Sequence, residues 1–96
     1  MFRRNGRNAW KMSLDIAREI GRRGFPAKVK AVTVMSATGN TRRRGIVIPG
    51  RGIAVINNDL SITAASYNKP LPWAVTFEYE SAEAAAENIL RNLPLP

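Results

Sequence analysis

The residues best suited to binding chemistry are four arginines within the segment 41–57: Arg42, Arg43, Arg44 and Arg51. A guanidinium group stays charged at physiological pH and binds phosphate or carboxylate oxygens through paired hydrogen bonds. The same segment predicts a β-hairpin, because β-branched runs at 46–48 and 53–56 flank Pro49-Gly50, a pair typical of a type II turn. A two-stranded ribbon fits the major groove of DNA, so this hairpin is a candidate nucleic-acid contact. The alternative interpretation is a solvated surface hairpin.

The three consecutive arginines do not share one face of a regular strand. Alternation places Arg42 and Arg44 on the face of Ile46, and it places Arg43 on the opposite face. All three can turn toward one partner only if 41–45 is a flexible loop, which Gly45 permits. Contact with phosphates therefore fits this stretch better than readout of base edges.

The charge of the chain is strongly asymmetric. Residues 1–51 carry thirteen Lys and Arg against two acids, a net charge of +11, whereas residues 52–96 carry a net charge of −3. A basic half of this kind attracts polyanions, although it also serves solubility alone in some proteins. The candidate residues for binding nucleic acid or an acidic partner are Arg3, Arg4, Arg7, Lys11, Arg18, Arg22, Lys28, Lys30, Arg42, Arg43, Arg44 and Arg51.

Residue types needed for catalysis are scarce. The chain has no histidine and no cysteine, which removes the usual general base, the thiolate nucleophile and the common zinc ligands. Asp15 and Glu19 are one helical turn apart, but each has arginines nearby, so ion pairs are expected rather than an acid–base dyad. Gly50-Arg51-Gly52 alone is too weak a signal for a phosphate cradle. We expect no enzymatic activity, no cofactor and no metal.

The first predicted helix begins at Asn8 or Ser13 and ends at Gly24. Trp10, Leu14 and Ile20 fall on one face of it, and this spacing favours Trp10 as a core anchor over a base-stacking platform. The preceding residues, 1–7, are basic and show no hydrophobic periodicity, so they predict a flexible arm before a single domain at 8–96. No apolar segment resembling a signal peptide or a membrane span follows.

The remaining periodicity predicts strands at 27–36, along the hairpin and at 60–67. A last strand at 73–80 directs Trp73, Phe77 and Tyr79 to one face, and Ser81 caps a C-terminal helix with Ile89 and Leu90 on its apolar stripe. Short connections favour antiparallel neighbours. The sequence therefore predicts an α+β two-layer sandwich, an antiparallel β-meander of four to five strands with an N-terminal and a C-terminal helix, in the order α-β-β-β-β-β-α.

Two classes of function fit these features. In the first, a small non-enzymatic protein binds nucleic acid through its phosphate backbone. In the second, a phage- or mobile-element-type inhibitor or adaptor, such as an anti-defence or anti-CRISPR-like protein, binds an acidic site on a host protein through the same basic surface. We also expect a homodimer, formed through one sheet edge or through the apolar face of the hairpin. The absence of cysteine makes a cytoplasmic location the default expectation.

Overall fold

The described part of the chain forms one antiparallel sheet and two helices. The computed structural model describes residues 2–37, 39–68 and 74–94, and for residues 2–7 and Ser36 it describes the backbone only. The elements are α1 (Phe2–Arg22), β1 (Lys28–Ser36), β2 (Gly39–Ile48), β3 (Gly52–Ile56), β4 (Ile62–Ser66), β5 (Val75–Phe77) and α2 (Ala82–Asn92). Neither described helix is long and apolar enough to cross a membrane.

The strands pair in sequence order, β1-β2-β3-β4-β5, and every pair is antiparallel. This arrangement confirms the predicted α+β fold. One face of the sheet packs against both helices, and the core between these two layers consists of Met12, Ile16, Ile20, Ile46, Ile48, Ala54, Ile56, Ile62, Ala64, Ala85, Ala86, Ile89 and Leu93. The opposite face, called the open face below, carries half-buried apolar residues such as Val32, Val47 and Ile53.

Local sequence explains the helix ends that the sequence predicted. Gly24 adopts φ +88°, a left-handed conformation that favours glycine, and its N–H donates to the Gly21 carbonyl at 3.0 Å. The Phe25 N–H donates to the Ile20 carbonyl at 3.3 Å, which completes a Schellman motif at the end of α1. At the start of α2, the Ser81 Oγ accepts from the Ala84 N–H at 3.1 Å, so the predicted cap is confirmed.

The turn between β2 and β3 is also as predicted. The Arg51 N–H donates to the Ile48 carbonyl at 3.0 Å, and Gly50 adopts φ +77°, as the third position of a type II turn requires. Gly52 follows at the start of β3, where a Cβ atom would overlap the Ala65 carbonyl oxygen and lie 2.8 Å from the Leu93 Cδ2. Only glycine therefore allows β3, β4 and the end of α2 to approach this closely.

Two predicted boundaries differ from the structure. Helix α1 begins at Phe2, so the predicted start at Asn8 or Ser13 is wrong, and the basic segment 1–7 has helical backbone from residue 2 onward. Its predicted flexibility stays a prediction. Strand β5 spans only Val75–Phe77, shorter than the predicted 73–80, and Trp73 lies outside the described residues.

The predicted core face of α1 is displaced by part of a turn. Trp10 is 43% exposed and Leu14 is 39% exposed, so the prediction that they anchor the core is wrong. Residues Met12, Ile16 and Ile20 face the sheet instead, at the four-residue spacing that keeps side chains on one helix face. Ile20 and Ile89 are buried as predicted, while Leu90, Phe77 and Tyr79 are half-buried against the core.

Candidate nucleic-acid interface

The β1–β2 hairpin projects beyond the rest of the sheet. Strand β2 pairs with β1 from Gly39 to Ile48, but it pairs with β3 only from Arg44 to Ile48. About five residue pairs of the hairpin thus extend past β3, a length of roughly 16 Å at the usual rise per strand residue. The hairpin from Lys28 to Ile48 contains five cations and no acidic residue.

Because β2 is a regular strand over this length, its arginines alternate between the two faces of the sheet. Arg44 lies on the helix side, where its guanidinium carbon is 4.2 Å from the ring centroid of Trp10 on α1. Arg42 occupies the same face two residues earlier, whereas Arg43 lies on the open face. The alternative in which all three arginines turn toward one partner through a flexible loop does not describe this structure.

The helix side of the hairpin therefore combines cations with an exposed aromatic ring. We call Lys11, Arg42, Arg44 and Trp10 the helix-side basic surface. The Lys11 side chain is 77% exposed, and its ammonium lies 3.5 Å from the Asp15 carboxylate. Arg3, Arg4 and Arg7 lie on the first two turns of α1, next along the helix from this surface, and their side chains are outside the described part of the structure.

The open face carries the second group of candidate residues. Lys28 and Lys30 on β1 share this face with Arg43, because their neighbour Val29 packs against the core on the opposite face. The Arg43 Nε and Nη1 atoms are buried without a hydrogen-bond partner. The pKa of Asp59 lies below the usual 3.8, mainly because Ser61 donates hydrogen bonds to the carboxylate, and the charge of Arg43 makes a smaller contribution.

The cations on the second half of α1 are already paired. Arg18 lies 4.0 Å from the Asp15 carboxylate, and Arg22 lies 2.9 Å from the Glu19 carboxylate. Both arginine side chains are about two-thirds exposed, so these pairs contribute little stability and remain accessible to solvent. The expected ion pairs of Asp15 and Glu19 are confirmed, and they lower the positive potential that Arg18 and Arg22 offer a partner.

Arg51 does not belong to either basic group. It is only 8% exposed, and its Nε donates to the Leu93 carbonyl at 2.6 Å while its Nη2 donates to the Leu90 carbonyl at 3.0 Å. The guanidinium carbon also lies 4.6 Å from the ring centroid of Phe25. Arg51 thus closes the C-terminal end of α2, where unpaired carbonyls need donors. We therefore leave it out of the candidate interface.

The sequence predicted Arg51 as a binding residue and did not predict that Trp10 is exposed at the surface. The reasons for these two outcomes differ. The contacts of Arg51 join it to a residue 42 positions later, so no local pattern distinguishes it from the other arginines. For Trp10 a signal existed: it lies on the helix stripe of Arg3, Arg7 and Leu14, not on the stripe defined by residues 12, 16 and 20.

One described concavity is lined by none of the basic residues of the hairpin. It has a volume of about 310 Å³ and is lined by Met12, Asp59, Leu60, Ser61, Glu78 and Tyr79. Burial raises the pKa of the Tyr79 hydroxyl, and the charge of Asp15 raises it further. Within 2–37, 39–68 and 74–94, no three acidic side chains gather closely enough to hold a metal ion.

Three comparisons bear on the identity of the chain. No protein-family model matches it, and neither a curated protein nor a solved structure matches it. The distribution of charge and of exposed aromatic surface is thus the basis for inferring its function.

Proposed function

We propose that the protein binds nucleic acid through phosphate contacts made by the β1–β2 hairpin and the N-terminal half of α1. One observation carries this proposal. The five cations of the hairpin take part in no ion pair within the described residues: Lys28, Lys30, Arg42, Arg43 and Arg44. The four ion pairs found there all join residues of α1 or Arg23, which follows it.

Unpaired cations are the ones that bind a polyanion most effectively. A lysine or arginine that already has a carboxylate neighbour must share its charge, whereas an unpaired one releases a counterion from each phosphate it neutralises. The hairpin is thus expected to contribute more to binding than Arg18 and Arg22 do, although all of these side chains carry the same formal charge.

The alternation of the hairpin arginines supports backbone contacts over base-specific readout. Arg42 and Arg44 lie on one face and Arg43 lies on the other, so they cannot align along one row of base edges. The hairpin can still contact phosphates on two sides, through the exposed Arg42 on one side and through the exposed Lys28 and Lys30 on the other. We therefore expect binding that depends strongly on salt and weakly on nucleotide sequence.

A second candidate function is supported by the apolar residues beside these cations. Trp10, Leu14 and Met35 are exposed, and tryptophan, methionine and arginine are enriched at protein interfaces. We propose as the alternative that the chain is an inhibitor or adaptor of the phage or mobile-element type, which occupies an acidic site on a host protein. In that case the cations of the hairpin and of α1 take the place of a cationic ligand at that acidic site.

Fluorescence anisotropy with mixed-sequence oligonucleotides distinguishes these two functions. The four probes are single-stranded and double-stranded DNA and RNA, each labelled and titrated at several salt concentrations near and below the physiological value. We expect binding to at least one probe that weakens steadily as salt increases. Failure to bind any of the four probes at low salt would contradict the nucleic-acid proposal and would leave the protein-binding alternative.

A further inference from the structure

We infer that Trp10 and Arg44 form a stacking platform for an unpaired base, so that the partner of the helix-side basic surface is a single-stranded nucleic acid. This inference rests on the proposed function and makes its ligand class specific. It assigns to Trp10 a role in binding, in place of the role in the core that the sequence indicated.

The exposure of Trp10 is the first observation. Tryptophan is highly buried on average, because its large ring gains much from leaving water. Trp10 is nevertheless 43% exposed, although α1 buries Met12 and Ile16, two and six residues later, against the sheet. Leu14, one helical turn further, is similarly exposed at 39%.

The fixed position of the ring is the second observation. Arg44 places its guanidinium carbon 4.2 Å from the ring centroid, which is a cation–π contact over one face of the indole. The backbone of Arg44 is held on both sides, since it pairs with Ala31 in β1 and with Ile56 in β3. The ring therefore belongs to a platform built on a helix and a paired strand, which limits the ordering that binding requires.

The charge around the platform is the third observation. Arg42 lies on the face of Arg44 about 7 Å along the strand, and Lys11, which shares its charge with Asp15, follows Trp10 in the chain. Neither cation is buried. A base stacked on Trp10 thus places its own and the neighbouring phosphates within the positive field of these residues. Cationic side chains beside an aromatic ring are the combination that binds single strands with little sequence preference.

A single strand suits this platform better than a duplex does. In a duplex, each base is already stacked on its neighbours, so an aromatic ring on a helix surface meets only the backbone. An unpaired base has a free π-face that the indole can cover, and such a contact tolerates any base. A duplex or an acidic protein would use the cations but not the ring.

The direct test measures the affinity of the Trp10→Ala variant for a labelled oligothymidine of about 16 nucleotides. We expect a loss of about 5- to 150-fold, the change that corresponds to removal of one base–aromatic stack. Affinity for a DNA duplex of the same length should change less than threefold. Leu14→Ala is the matched control, since it removes an equally exposed apolar side chain from the next turn and should change neither affinity by more than twofold.

A second measurement follows the ring itself. The chain has two tryptophans, so Trp73→Phe leaves Trp10 as the only one, and its emission should be quenched on saturation with unlabelled oligothymidine. If Trp10→Ala binds the oligothymidine as tightly as the wild type, or loses affinity equally for both probes, the platform is wrong while the nucleic-acid proposal stands. If the wild type binds none of the four DNA and RNA probes at low salt, the platform and the nucleic-acid proposal are both wrong.

Discussion

Substitution of Arg51 tests the distinction between structural and binding arginines most sharply. In the wild type, this side chain donates to the carbonyls of Leu93 and Leu90 at 2.6 and 3.0 Å and contacts the ring of Phe25. Arg51→Ala removes both donors and the ring contact together, and it leaves the two carbonyls at the end of α2 without the partners they have in the fold.

The expected loss is large for a chain of this size. A buried acceptor that loses its donor costs about 1–3 kcal/mol, and the lost cation–π contact adds about 0.5–1 kcal/mol. Because Leu90 is only half-buried, water can replace part of its bond, and we expect a total of about 3–5 kcal/mol. Proteins of this kind have a free energy of unfolding of about 5–15 kcal/mol, so the variant should be marginally stable.

Urea denaturation followed by circular dichroism measures this loss, and a thermal melt should show a decrease in Tm of about 15–30 °C. Arg51→Lys should recover only part of the stability, because one ammonium does not reproduce the two directed donors of a guanidinium. Arg91→Ala is the matched control: Arg91 is exposed on α2, and its loss should change the free energy of unfolding by less than about 0.5 kcal/mol. If Arg51→Ala unfolds at the same urea concentration as Arg91→Ala, the structural role of Arg51 is wrong.

Three further outcomes follow from packing. Gly52→Ala should destabilise the fold by more than about 2 kcal/mol in urea denaturation, since the added Cβ meets backbone and side-chain atoms. Gly21→Ala is the contrasting variant: its added Cβ has no atom within 4 Å, and it should stabilise α1 by about 0.5–1 kcal/mol. Phe77→Ala should cost about 2–3 kcal/mol, below the range for a fully buried ring, and an unchanged thermal melt would remove it from the core. The apolar residues of the open face, Val32, Val47 and Ile53, should support a homodimer that Ile53→Lys disrupts, and light scattering that finds a monomer at high micromolar concentration would contradict this expectation.

The parts of the fold that depend on neighbours in sequence were predictable. The type II turn at Pro49-Gly50 needs only a residue with fixed φ followed by one that accepts positive φ. The cap at Ser81 needs only a hydroxyl in front of a helix-forming run. The order of the strands followed from the short connections between them, because such connections allow only antiparallel pairing.

The parts that depend on tertiary contacts were not predictable in the same way. Arg51 and Arg44 are the same residue type, and only the contacts of Arg51 with α2 and with Phe25 bury the first of them. Trp10 is predicted in the core because its spacing from Leu14 and Ile20 matches one helix face. Its actual exposure depends on how α1 rotates against the sheet, and Met12, Ile16 and Ile20 determine that rotation by filling the core.

The most direct test of the proposed nucleic-acid function is the salt dependence of binding for the Arg42→Ala/Arg43→Ala/Arg44→Ala variant. Each phosphate contact contributes about −0.9 to the slope of log K against log salt on duplex DNA and about −0.7 on single strands. If all three arginines engage, the slope should flatten by about three units on a duplex or about two on a single strand, while Arg91→Ala keeps the wild-type slope. A triple variant that stays folded and keeps both the wild-type affinity and the wild-type slope would contradict the role of the hairpin.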